Sequence, residues 1–132
     1  MGSRQDQSTS GDAAFEARLM GIRVRFARGL AAKIEQTDAA LTRMAGEGID
    51  AVDAVTVAYR WLHEVGGIGS NVGFAATGLL AKSCEAILAA PFRTQRGLSP
   101  GEMAKLTSGL ESLRITALTE TATTNSNQRT TT

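Results

Sequence analysis

Half of the usual chemical inventory is scarce in this chain of 132 residues, which holds one cysteine, one histidine and two prolines. Each scarcity excludes something. The lone Cys84 forbids an internal disulfide and fits a reducing compartment, so a cytoplasmic location is expected. One cysteine and one histidine are too few soft ligands for a zinc site. Fourteen basic residues balance thirteen acidic ones, for a formal charge of +1, and no Lys/Arg cluster stands out. Nucleic acid is therefore not an expected partner. No apolar run approaches the ~18 residues of a membrane span, so no membrane partner is expected. Residues 1–11 are polar and lack the apolar core of a signal peptide. A second histidine, a P-loop and a Ser/Cys–His–Asp set are all missing, which argues against a conventional enzyme.

What the chain does have is helical periodicity, with alternating β-branched runs absent. Residues 1–11 are read as a flexible N-terminus, 12–120 as one helical domain, and 121–132 as a disordered tail. In the first segment Phe15, Leu19, Ile22, Phe26, Leu30, Ile34, Leu41 and Met44 form one apolar stripe. Gly21 and Gly29 allow either one helix or a short extra N-terminal helix followed by a long one. The second segment is expected to start with Asp50 as N-cap. Val55, Ala58, Leu62, Val65, Gly69 and Val72 form its buried seam. The third spans about Phe74 to Ala90, with Phe74, Thr77, Leu80, Ala81, Cys84, Ile87 and Leu88 inward and Pro91 as its stop. The fourth opens on a capping box, Ser99-Pro100-Gly101-Glu102, and is expected to end near Thr119. Short loops between such helices predict an all-α, up-and-down antiparallel four-helix bundle.

The sole histidine sits in a run that is otherwise costly for a helix. Gly66, Gly67 and Gly69 follow His63 within two turns, and each glycine costs up to ~1 kcal/mol relative to alanine. A helix that keeps them needs room there, for which close approach of a bulky partner is the simplest reason. At ~100° per residue His63 lies opposite the seam, with Tyr59, Arg60, Gly66, Gly67 and Ser70 within about 60° of it. An outward imidazole over a floor of glycine is expected. Trp61 is expected to pack inward, and Cys84 to be a small core residue.

The run His63 to Glu85 resembles the histidine phosphotransfer domain of bacterial phosphorelays. That family follows its histidine with an apolar residue at +2, glycine at +4, a small residue at +7, then an apolar residue and glycine at +9 and +10. Val65, Gly67, Ser70, Val72 and Gly73 stand at those offsets, Phe74 matches the apolar residue that often follows, and Lys82-Ser83-Cys84-Glu85 is similar to the end of the family's next helix. The family's usual +3 lysine is Gly66 here. Arg60 and Lys82 are the two candidate replacements for its charge.

The resemblance implies a four-helix bundle that carries a phosphoryl group on His63 between receiver-domain aspartates. Neutral imidazole suits that task as a nucleophile near neutral pH. Tyr59, Arg60, Glu64, Gly66, Gly67, Ser70, Gly73, Phe74 and Lys82 are the candidate supporting or docking residues. The implied partners are response-regulator receivers and a hybrid or sensor histidine kinase. No cofactor of its own is implied, the Mg²⁺ being expected on the receiver, and a monomer is expected. An ATP-binding domain does not fit beside the bundle in 132 residues. Two other readings stay open: a degenerate module that docks receivers or other signalling proteins without carrying phosphate, and a structural bundle that oligomerises through an apolar face.

Overall fold

In a computed structural model, residues 2–130 are described, with side chains from 11 to 123. Four helices follow in order: α1 (Gly2–Met44), α2 (Ile49–Ile68), α3 (Ala75–Thr94) and α4 (Pro100–Thr130), with a 3₁₀ turn at Gly69–Val72. The chain is an all-α bundle. Each helix packs on two neighbours, α1 on α2 and α4, and α3 on α2 and α4, and among the described residues no Cα atoms of diagonal helices come within 8 Å. No helix among these residues is long and apolar enough to cross a membrane.

The predicted apolar positions build the core. Leu30, Ile34, Met44, Val55, Leu62, Leu88, Leu106, Leu110 and Leu113 are all buried. The α2 seam is inward at every expected position, from Val55 to Val72. Trp61 is buried, and its indole N–H donates to Thr37 Oγ1 at 2.7 Å. Cys84 is buried, and burial pushes its thiol up to about 11, away from thiolate chemistry.

Several boundaries differ from the sequence reading. Helix α1 runs unbroken through Gly21 and Gly29, so there is no separate N-terminal helix. Each glycine costs a helix about 1 kcal/mol but removes no hydrogen bond. The backbone is helical from Gly2 and on to Thr130, where a flexible N-terminus, a helix end near Thr119 and a disordered tail were expected. No proline interrupts either stretch. Met1 and the last two residues of the expected tail lie outside the described residues. At 1.5 Å per residue α1 is about 65 Å long and α2 about 30 Å. The apolar stripe therefore outruns its partner, and Phe15 and Ile22 stay exposed.

Helix α2 begins at Ile49 with Gly48 as its N-cap, placing Asp50 in the first turn and not at the cap. Gly48 has φ 99°, a conformation that suits glycine, and its carbonyl accepts the first bond, from Val52 N–H. Helix α3 does not stop at Pro91 but continues one turn to Thr94. The proline ring is fully buried, which offsets the missing hydrogen bond, and Gln95 in the left-handed conformation closes the helix.

The capping box of α4 forms as expected. Glu102 N–H donates to Ser99 Oγ at 3.2 Å, and Ser99 N–H donates to Glu102 Oε1 at 2.9 Å. Arg96 clasps the same carboxylate through both guanidinium nitrogens at 2.7 and 2.9 Å. That fork, followed by the Ser99 amide, holds Glu102 at about 2, below the usual value of about 4.3. A depressed folded-state pKa adds stability above the unfolded value, and the gain is lost as pH falls through the window from about 4.3 to about 2. Thermal melts between pH 5 and pH 2 are expected to show a destabilisation on acidification that is smaller in Glu102→Gln. Ser99→Ala is expected to cost about 1 kcal/mol at neutral pH.

Candidate functional site

The α2–α3 pair positions the site, and glycine sets how the two helices meet. A Cβ on Gly69 would sit 2.8 Å from the Phe74 carbonyl and 3.0 Å from Gly78 Cα, so only glycine permits this approach. Gly73 takes φ 89° and turns the chain from the 3₁₀ segment into α3, while Arg23 of α1 donates from Nε to the Val72 carbonyl at 2.9 Å. Glu120 of α4 holds the start of α3, accepting from the Thr77 amide at 2.7 Å and the Thr77 hydroxyl at 2.5 Å. Phe74, which caps α3 without a side-chain bond, has no such means of its own.

His63 emerges on the outer side of this pair, its side chain 71% exposed. Nδ1 lies 3.0 Å from Glu85 Oε2, across the helix interface. Its ring is nearly parallel to Tyr59, at 12° and 6.4 Å between centroids, and Tyr59 stacks in turn on Phe92 at 4.2 Å. The imidazole is thus held by a carboxylate of α3 and an aromatic stack, while its outer face meets solvent.

Two shallow hollows flank it. One is lined by His63, Gly67, Lys82 and Glu85, with the small side chains Ala86 and Ala89. The other is lined by His63 with Tyr59, Arg60 and Glu64, together with Lys33 and Val57. Gly67 is exposed, and beyond its own turn of helix no atom lies within 4 Å of where its Cβ would be. Ser70 is exposed on the 3₁₀ turn.

Two of the predicted residues are buried, and a third lies against an arginine. Phe74 is only 1% exposed, with its ring centroid 5.0 Å from that of Phe26, so it anchors the bundle and offers no docking surface. Gly66 is buried under the Lys82 side chain. The Arg23 guanidinium lies over Gly73, 3.0 Å from where a Cβ would be.

Glu85 is the residue that sequence reasoning missed as a partner of His63. It belonged to the quoted Lys82–Glu85 pattern, and its place one turn beyond Lys82 was the available signal.

A carboxylate accepts hydrogen bonds and donates none, so the Nδ1 position beside Glu85 carries the imidazole proton. In the neutral ring Nε2 then keeps its lone pair. The arrangement can present an exposed nitrogen nucleophile, in a fixed tautomer, on a face bare enough for a second protein. Among the described residues no group of three or more His, Cys, Asp or Glu is placed to hold a metal ion. No protein-family model, curated protein or solved structure matches this chain.

Proposed function

We propose that the protein is a histidine phosphotransfer protein that carries a phosphoryl group on His63 between receiver-domain aspartates. One observation carries this reading: an exposed imidazole held through Nδ1 by Glu85, beside the bare backbone of Gly67. The Nε2 lone pair forms the N–P bond while the P–O bond of the receiver's aspartyl phosphate breaks. The aspartate carboxylate leaves with that electron pair. The ring gains positive charge, and the Glu85 carboxylate lies against it, as the acid does in a Ser–His–Asp triad. The reverse step hands the group to the next receiver.

Most of the rate then comes from positioning and charge. The receiver brings the aspartate and its Mg²⁺, and this chain brings the nucleophile and a surface that does not obstruct. Such a carrier has no substrate cavity of its own. Its partners are receivers and a hybrid or sensor kinase, and it works as a cytoplasmic monomer.

The test is transfer of labelled phosphate from phosphorylated receiver domains to the full chain. Label that is lost in acid and kept in base is the expected result. Binding of those receivers with no label on the protein would replace this reading with that of a docking module.

A further inference from the structure

We propose that Lys82 neutralises the phosphoryl group on His63, reaching it from α3 across the backbone of Gly66. This rests on His63 being the phosphoacceptor.

A Cβ on Gly66 would sit 2.8 Å from Lys82 Cγ and 3.6 Å from Lys82 Cε. The first distance is shorter than side chains tolerate, so a side chain at 66 and the present path of Lys82 exclude each other. Gly66 lies three residues beyond His63 on α2. The lysine stem therefore crosses α2 about one turn from the imidazole, in room that a side chain at 66 would otherwise take. A glycine there is the condition for a cation arriving from the other helix.

Lys82 and His63 line one hollow, and Glu85 draws the imidazole toward α3, the helix that carries Lys82. Arg60 lines the hollow on the other side, where Glu64 is its acidic neighbour.

Glu85, the carboxylate that lines the same hollow as Lys82, is engaged by His63, and among the described residues Lys82 forms no ion pair. An exposed ammonium on a four-carbon stem is a mobile point charge that can follow a phosphoryl group through transfer. No proton leaves Lys82 in this role. Its charge offsets the phosphoryl oxygens as the N–P bond forms and the donor's bond to phosphorus breaks.

Potassium phosphoramidate tests this without a cognate receiver: its P–N bond breaks, ammonia leaves, and the phosphoryl group goes to the imidazole. The rate of phosphoryl gain is followed by intact mass, with circular dichroism to verify the fold. Lys82→Ala is expected to be roughly tenfold slower, the site being open to solvent. Lys82→Arg keeps the charge and is expected to retain most of the rate. The relocated cation, Gly66→Lys with Lys82→Ala, is expected to restore it. With the lysine stem gone, the nearest remaining neighbour of a Cβ at 66 is the Gly78 carbonyl at 3.7 Å, an ordinary contact. Lys82→Ala as fast as an unmodified chain that is phosphorylated on His63 would overturn the role of Lys82 and leave the phosphoacceptor standing. An unmodified chain that takes no phosphoryl group would overturn both.

Discussion

His63→Gln is expected to lose all acid-labile phosphorylation while the bundle stays folded. No second histidine is available to take over. The side chain is largely exposed, and what it contributes to the fold is one surface hydrogen bond to Glu85 and the edge of the Tyr59 stack. Substitutions at such positions usually change stability by no more than about 0.5 kcal/mol. Glutamine also keeps a polar side chain in reach of Glu85 but has no nucleophilic nitrogen. Phosphoryl transfer measured beside a thermal melt separates the two effects. A melting temperature near that of the unmodified protein with no label is the expected pair of results. Acid-labile label persisting on His63→Gln would place the acceptor elsewhere.

Gly67→Leu is expected to split stability from function in the opposite direction. Beyond its own turn of helix nothing lies within 4 Å of the position its Cβ would occupy, so the new side chain meets no obstacle in the free protein. Replacing a helical glycine with leucine gains up to ~0.8 kcal/mol of helix propensity, less in the last turn of α2 where Gly67 stands. The melting temperature should hold or rise. The leucine would then project beside His63 into the hollow that both residues line. A receiver needs that room to bring its aspartate in line with Nε2, and a misplacement of about 1 Å can cost roughly a hundredfold in rate. Transfer from a phosphorylated receiver should fall by at least that much. Phosphoramidate is small enough to pass the leucine, so phosphorylation from it should stay near the unmodified rate. Receiver transfer that survives Gly67→Leu would remove close approach as the reason for the glycine.

The architecture is largely legible in the sequence. Periodicity fixes which faces turn inward, and the α2 seam, the inner face of α3 and the leucines of α4 are found where that spacing puts them. The capping box was equally readable, because its two bonds involve residues three apart in sequence.

What escaped depended on long-range contacts. Pro91 reads locally as a stop, and only the burial of its ring explains one further turn of α3. Phe74 reads both as an inward residue of α3 and as a docking residue, and only its packing on Phe26 of α1 decides for the first. The partnership of His63 with Glu85 needs the register of α2 against α3. A short 3₁₀ turn, the left-handed Gly73 and the contact of Gly69 with Gly78 set that register, and a periodicity argument fixes none of them. Likewise, Gly66 alone reads as an absent lysine. With the register known, it is the gap through which Lys82 passes.

The most direct measurement is nitrogen-15 NMR of the single imidazole, before and after phosphorylation, through long-range couplings between ring nitrogens and ring protons. One histidine in the chain makes the assignment unambiguous. The account predicts a free ring whose neutral form carries its proton on Nδ1, held by Glu85, and a phosphorylated ring whose phosphorus is bonded to Nε2. Phosphorus on Nδ1, or a neutral form protonated on Nε2, would contradict it.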